Sequence, residues 1–266
     1  AFFNDAAFGI APNIKATSSY AERLDICVLA AEVDDKTVLE TSGYARLSFG
    51  NLCLICDCGE IGPDYQPGHA HADTLSFELS IGGKRVIVNS GTSTYEVNPE
   101  RQWQRGTAAH NTVVVGGDNS SDVWAGFRVA RRARAKVTEW GSCNPRSISA
   151  CHDGYRRAPW NSVHNRRWTV DDNEVLIEDN ITGNTVDCDA YFYVHPDFKI
   201  VDCREDQVFM EFDVGPKISM RFDGCENIEV KKSNWHPYFG VSETNSVVVA
   251  HFAAPRLRTQ IRWKKS

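Results

Sequence analysis

The stretch that decides the fold is GHAHADTLSFELSI, residues Gly68 to Ile81. Read at a period of two, one face carries His69, His71, Asp73, Leu75, Phe77, Leu79 and Ile81, and the other carries Ala70, Ala72, Thr74, Ser76, Glu78 and Ser80. The spacing predicts a single strand that runs from a polar tip into an apolar core. Two imidazoles and a carboxylate at successive same-face positions of such a strand lie about 7 Å apart, near enough to share a metal or a substrate. A hydrogen-bonded histidine pair at a strand end is the competing structural reading.

Turn signals lie on both sides of this strand. Gly82-Gly83 closes it in a tight hairpin, and RVIVNSG (85–91) is the returning strand. Upstream, ARLSFG (45–50) and NLCLICDCG (51–59) form two strands about Gly50-Asn51, and the acidic loop EIGPDYQPG (60–68) leads to His69. Downstream, 93–108 reads as a loop from Asn98-Pro99 and its polar density, and HNTVVVGG (110–117) as a strand. Further strands are expected within 127–140, 164–182, 188–197, 198–203, 207–214, 217–222, 227–232 and 246–254. Residues 1–40 differ in character: Ser18-Ser19 are placed to cap a helix over 20–33, where Tyr20, Leu24, Cys27, Val28 and Ala31 recur at helical spacing. The expected fold is all-β, a large antiparallel β-sandwich of stacked sheets over 41–266, preceded by a short helical segment in 1–40.

A chain of 266 residues and 29.7 kDa is long enough to bury a sizeable core. Its net charge of −6 gives no polyanion-binding surface from net charge, which argues against a nucleic-acid partner. The basic run RVARRARAK (128–136) reads as a solvated strand face, with contact to an acidic polymer as the alternative. No apolar run is long enough to span a membrane. The opening AFFNDAAFGI, without an initiator Met, reads as that of a mature or excised product. Nine cysteines cannot all pair internally, and Cys53, Cys56 and Cys58 read as free thiols of a buried strand, which favours a reducing compartment.

GHAHAD (68–73), VNSGTSTY (88–95), RGTAAHNTVVV (105–115) and a Trp after the polar turn 118–124, in that order, resemble the heparinase II/III-like family of polysaccharide lyases. The opening FFNDAAFGIAPN (2–13) followed by YAERL (20–24) is similar to the segment with which that family leaves its helical toroid. The resemblance covers most of residues 1–130. It implies that an N-terminal α/α toroid precedes this chain, with the active site between toroid and β-sheets, and that the substrate is an acidic, uronate-containing polysaccharide cleaved by β-elimination. His69 then matches the catalytic histidine, His71 and His110 match two ligands of a structural zinc, and Asn89 stands where the third ligand, usually Asp, is expected. An amide oxygen ligates zinc without bringing charge, so such a site binds more weakly. Hairpin register about Gly82-Gly83 also places Asn89 opposite Ser76 or Phe77, not His71. Asp73 reads as a carboxylate that orients an imidazole, or as one satisfied by backbone donors.

β-Elimination removes a weakly acidic proton α to a carboxylate. It needs a neutralising cation or hydrogen bond, a base, and an acid for the leaving oxygen. Arg105 is a candidate catalytic residue that pairs with the uronate in two-pronged fashion; a salt bridge to Glu96 or Glu100 is the alternative. Tyr95, Trp103 and Trp124 are candidates for sugar stacking or for packing. His152, His164, His195, His236 and His251 read as structural. The toroid's tyrosine acid/base and its carboxylate neutraliser have no counterpart in residues 1–40, so the chain is expected to be inactive alone. Two other readings stand beside this one: a non-catalytic carbohydrate-binding or scaffolding β-sandwich with a structural metal, and a cupin-type metalloenzyme using Asp73 or Glu78 with His110. The family points to the cell envelope and the cysteines to a reducing interior.

Overall fold

Short turns fold the chain back on itself repeatedly, and in the computed structural model, which describes residues 1–27, 36–140, 146–184, 186–213 and 215–264, the result is two stacked antiparallel sheets. In chain order the strands are β1 (Lys36–Leu39), β2 (Tyr44–Phe49), β3 (Leu52–Asp57), β4 (Phe77–Ile81), β5 (Lys84–Ile87), β6 (Val113–Val115), β7 (Asp122–Trp124), β8 (Arg128–Ala130), β9 (Ala135–Glu139) and β10 (Arg146–His152). They continue as β11 (Val163–Asp171), β12 (Glu174–Thr182), β13 (Asp187–Val194), β14 (Phe198–Cys203), β15 (Gln207–Phe212), β16 (Lys217–Asp223), β17 (Asn227–Trp235), β18 (Glu243–Ala253) and β19 (Arg256–Lys264). The first sheet has the order β1-β2-β3-β4-β5-β13-β18-β17, with β6 also on β13; the second has the order β14-β15-β16-β19-β12-β11-β10-β9; β7 and β8 form a separate hairpin.

Period-two alternation builds the core. Along β11 every second residue, His164, Arg166, Trp168 and Val170, is buried while its neighbours are half-exposed. Leu47, Leu54, Phe77, Leu79 and Phe192 of the first sheet pack against Ile148, Trp168, Ile177, Phe222 and Ile261 of the second. Cys56 and Cys58 are buried free thiols at the end of β3, and Cys53 is half-buried. Arg128, Arg131, Arg134 and Lys136 are exposed, so the basic run is a solvated face.

At one end, β11's buried face is polar and fully satisfied. Arg166 donates through Nε and Nη2 to Asp179 at 2.6 and 3.0 Å, and through Nη1 to the carbonyls of Leu75 (2.8 Å) and Asn111 (2.7 Å). His164 Nε2 lies 2.6 Å from Asp179, and its Nδ1 lies 3.3 Å from His152 Nε2. His152 Nδ1 accepts from Gly154 N–H at 3.1 Å. One proton arrangement satisfies the whole chain: Nε2–H on both rings, each donating toward Asp179. His152 and His164 are thus structural.

This cluster makes the fold acid-sensitive. Burial raises the Asp179 carboxyl, but Arg166 and His164 outweigh it and hold the pKa at about 2. Burial lowers both His152 and His164. All three are depressed in the folded state, so their stabilisation is present above the unfolded pKa values and lost as pH falls. Loss begins near pH 6.5, where the unfolded imidazoles take up protons that the folded ones refuse, and continues below pH 4 as Asp179 is titrated, the last step alone amounting to about 2 kcal/mol. The difference in urea midpoint between the wild type and Arg166→Met/Asp179→Leu, measured at pH 7, 5 and 3.5, is expected to shrink at each step; a constant difference would contradict the assignment.

Three local expectations are corrected. The strand of residues 68–81 begins only at Phe77, because Leu75 adopts φ +61° and Ser76 N–H bonds back to the Asp73 carbonyl at 2.9 Å, turning the chain before it enters the sheet. The N-terminal helix is α1 (Ile14–Arg23), capped by Asn13 Oδ1 accepting from Ala16 N–H at 2.9 Å, and it ends at Leu24. Val28 and Ala31 lie outside the described residues. The loop of 93–108 contains a helix, α2 (Pro99–Gln104), with Asn98 as N-cap and Pro99 in the first turn.

No described helix is long and apolar enough to cross a membrane. Residues 1–9 form a strap without regular structure. Phe2 N–H donates to Glu78 at 2.8 Å, its carbonyl accepts from Asn89, and its ring stacks with Trp235. The strap covers Glu78, which sequence alternation had placed on a polar face and which is buried here.

Candidate functional site

The histidine-bearing loop is shaped by a 3₁₀ turn, Pro67–His69, and by the bend at Asp73–Ser76. Ala72 N–H bonds to the Arg105 carbonyl at 2.9 Å, and Ala70 and Ala72 are buried, so their small side chains let the loop lie flat on the body of the domain. The two imidazoles meet different surroundings: the His69 side chain is 59% exposed and that of His71 is fully buried.

His71, Asp73 and His110 converge. Their ligand-capable atoms all lie within 4.8 Å of one another, and all three residues are buried. His71 Nδ1 faces His110 Nε2 at 3.3 Å. Two nitrogens each about 2.05 Å from a tetrahedral zinc are themselves about 3.3 Å apart, so the observed spacing fits two ligands of one ion as well as it fits the hydrogen-bonded arrangement that His164 and His152 adopt at the same 3.3 Å. Burial and neighbouring His71 push the His110 pKa well below its usual range, which keeps the imidazole neutral, the form able to ligate a metal, and its Nδ1 has no hydrogen-bond partner among the described residues. Two lone pairs facing each other at this distance repel unless a cation or proton lies between them. Burial raises the carboxyl of Asp73, and burial together with Asp73 raises that of Asp57 well above the usual range, so a cation there would also relieve the Asp73 carboxylate. Two imidazoles and a carboxylate form a donor set that fits zinc.

Asn89 is placed differently from the expectation. Its Oδ1 accepts from Asn111 N–H at 2.9 Å and from Asn111 Nδ2 at 3.2 Å, while its own amide donates to the Phe2 carbonyl at 2.9 Å and reaches Ser76 Oγ at 3.4 Å. Asn89 joins the strap to the sheet, next to Ser76 as the hairpin register implies. Asp73, expected as an orienting group, as a carboxylate satisfied by backbone donors or, in the cupin reading, as a metal carboxylate, stands with the two histidines and accepts from Asn4 N–H at 2.8 Å.

Arg105 forms neither of the expected ion pairs. It is fully buried, and its guanidinium donates to the Ala70 carbonyl through Nε (3.2 Å) and Nη2 (3.0 Å) and to the Trp124 carbonyl through Nη1 (3.2 Å). Burial lowers its pKa to about 10, with neighbouring Arg101 adding to the effect. Its contacts brace the histidine loop from beneath.

Two further residues, neither assigned a role by the sequence, complete the site. Asp5, on the strap, lies 3.0 Å through Oδ2 from His69 Nδ1 and 2.7 Å through Oδ1 from His71 Nε2. Arg101 of α2 clasps the same carboxylate with both terminal nitrogens, Nη2 reaching Oδ2 at 2.8 Å, and Thr92 Oγ1 donates to Oδ1 at 3.3 Å. Burial alone raises the Asp5 carboxyl; His71 and Arg101 outweigh it and hold it well below the usual carboxylate range. The Asn-Pro-Glu start of α2 was the one available signal for Arg101, since it marks a helix whose inner face includes Arg101 and Gln104.

Aromatic rings form the rim. His69 packs against Tyr95 and Phe127, each with centroids 5.6 Å away, and Tyr95 meets Phe239 edge-on at 4.6 Å. Trp103 packs edge-on to Tyr193, and Trp124 is partly exposed at the end of β7. His236 is buried, and its N–H donates to the Ser90 carbonyl at 2.7 Å. Gly91 is fixed by that contact: at φ +78°, a Cβ there would lie 2.4 Å from the His236 carbonyl oxygen. His251 pairs with Asp189 at 2.6 Å, and His195 packs on Trp235. A cavity of about 540 Å³ beside Phe209, Ile218 and Trp263 is on the second sheet and shares no residue with the histidine cluster.

Comparison with known proteins agrees with this architecture. The chain is 28% identical over 173 residues to a heparin-sulfate lyase of Bacteroides stercoris, an alignment covering 62% of this chain and 24% of the relative. Its fold superposes on heparinase III with a TM-score of 0.81 and 17% identity, and on the heparan sulfate lyase HepC of Pedobacter heparinus with a TM-score of 0.79 and 14% identity, each over 100% of this chain and 44% of the other. The chain therefore spans less than half the length of these relatives. Residues 33–264 match the family described as heparinase II/III-like, C-terminal, and the chain belongs to that family.

Proposed function

We propose that this chain is the C-terminal part of a polysaccharide lyase that cleaves an acidic, uronate-containing polysaccharide by β-elimination. The observation that carries this reading is the exposed His69 ring, held at Nδ1 by a carboxylate, on the same loop as the buried His71–Asp73–His110 cluster. With Nδ1–H held by the carboxylate, the neutral ring presents its Nε2 lone pair to substrate, the tautomer a general base requires. The curated relative is named a heparin-sulfate lyase, which supports the polymer class.

In β-elimination the base removes the proton on the carbon α to the uronate carboxylate, the electron pair forms a C=C bond, and the glycosidic oxygen leaves with a proton from an acid. His69 is the group this chain contributes to the proton transfers, and the aromatic rim of Tyr95 and Phe127 packs its ring. Arg105 acts through the loop: its hydrogen bonds to Ala70 and Trp124 hold His69 and His71 in place. His71, Asp73 and His110 would hold a zinc ion whose role is to fix the loop. The remaining parts, a tyrosine acid/base and a neutraliser of the carboxylate, are assigned to a toroid preceding this chain.

The test follows the ultraviolet absorbance of the unsaturated uronate product. In a toroid-bearing parent, His69→Ala is expected to lower kcat by about 10²–10⁴-fold with melting temperature and zinc content unchanged, while residues 1–266 alone show no turnover. Full activity of the His69→Ala parent would remove His69 from the mechanism, and parent-like rates from the isolated chain would show that no toroid is needed.

A further inference from the structure

Five donors converge on one carboxylate. The side chain of Asp5 faces His69 Nδ1, His71 Nε2, both terminal nitrogens of Arg101 and Thr92 Oγ1, with the imidazole contacts at 3.0 and 2.7 Å. A carboxylate accepts at both oxygens; an amide accepts at one and donates at the other, so no neutral side chain of this shape serves all five. The backbone adds a sixth link, Asp5 N–H to the His69 carbonyl at 3.1 Å, and the preceding residue ties Asn4 N–H to Asp73 Oδ2 at 2.8 Å and Asn4 Oδ1 to His71 N–H at 3.1 Å.

We propose that Asp5 is a positioning residue that sets the tautomers of both histidines at once, coupling the exposed imidazole to the buried cluster through a single side chain. Accepting from His69 Nδ1–H leaves Nε2 with its lone pair toward solvent. Accepting from His71 Nε2–H leaves Nδ1 with its lone pair toward His110 Nε2. Arg101, bonded also to the Gly126 carbonyl at 3.0 Å, fixes the carboxylate plane from the other side. The strap of residues 1–9 is on this account part of the site, anchored at Phe2 and delivering Asp5 between the two rings. The catalytic consequence rests on the lyase reading of His69; the tautomers and the zinc affinity do not.

The experiment uses the 266-residue chain, labelled with ¹⁵N-histidine, with long-range ¹⁵N–¹H correlation above pH 7.5 and His69→Gln to assign the ring. In the wild type, His69 is expected as the Nδ1–H tautomer, opposite to the Nε2–H form that free histidine favours. In Asp5→Asn, His69 is expected to shift toward Nε2–H, and zinc titration to give a Kd about 10–100-fold weaker, the usual consequence of losing a partner of a metal-ligating histidine. A merely structural Asp5 would leave the tautomer of a 59% exposed ring unmoved. Nε2–H as the major wild-type form overturns the proposal even if Asp5→Asn does not fold. So does a folded Asp5→Asn chain in which the tautomer or the zinc Kd is unchanged. Absence of lyase turnover in a toroid-bearing parent would instead count against the function proposed above, whatever the tautomers.

Discussion

Replacing Arg166 with methionine is expected to destabilise the fold by about 3–5 kcal/mol, because it leaves Asp179 as an uncompensated buried charge. Arg166 and Asp179 are both fully buried, and the guanidinium makes four hydrogen bonds, two to Asp179 and two to the carbonyls of Leu75 and Asn111. Leu75 is two residues from Asp73, and Asn111 follows His110, so one nitrogen of the second sheet ties down both loops that bear the candidate ligands. The double variant Arg166→Met/Asp179→Leu removes the charge together with its partner and is expected to recover most of the loss, since an apolar replacement of a buried pair is often neutral. It leaves two carbonyls without their donor and His164 without its acceptor, so recovery stops short of wild type. Urea unfolding of the three proteins checks this; a single variant within about 1 kcal/mol of wild type, the scale of an exposed pair, would mean the cluster is not the clamp described.

Asp73→Ala and Asn89→Ala are expected to separate metal binding from folding. Asp73 is the carboxylate within 4.8 Å of the two facing imidazoles, so its loss is expected to weaken zinc by more than about 100-fold, beyond what losing an outer partner costs. Asn89 bonds the strap and Asn111, so Asn89→Ala is expected to cost about 1–3 kcal/mol from unpaired buried groups while zinc affinity stays within about tenfold. Zinc titration and thermal unfolding of both variants give the comparison. The reverse pattern, with Asn89→Ala losing the metal and Asp73→Ala retaining it, would restore Asn89 as the ligand.

The hairpins were legible in the sequence because alternation and Gly-rich turns are local. The turn at Gly82-Gly83, with φ +61° and +74°, and the strands about Gly50-Asn51 fall where those signals place them. The same alternation misled at residues 68–76, where small alanines between polar residues mimic a strand; burial of Ala70 and Ala72 there serves a loop packed on Arg105. Asn98-Pro99 marks a loop and a helix start equally well, and the structure has a helix start where a loop is expected. The strands β10 and β19 were not anticipated, and they supply His152 and the neighbour of β12. His71 and His110 were found by motif order. Asp5 lies within the family-like opening FFNDAAFGIAPN, but its partners are 64 to 96 positions away in sequence, so the motif gives it no role.

His71 and His110 converge at the centre of the site, 39 positions apart in sequence and 3.3 Å apart in space. Elemental analysis of the purified chain, beside His71→Ala and His110→Ala, tests their joint role as ligands most directly. The expected result is close to one zinc per chain in the wild type and none in either variant. No zinc in the wild type after loading, with unchanged melting temperatures in both variants, would contradict it and leave the two imidazoles as a hydrogen-bonded pair.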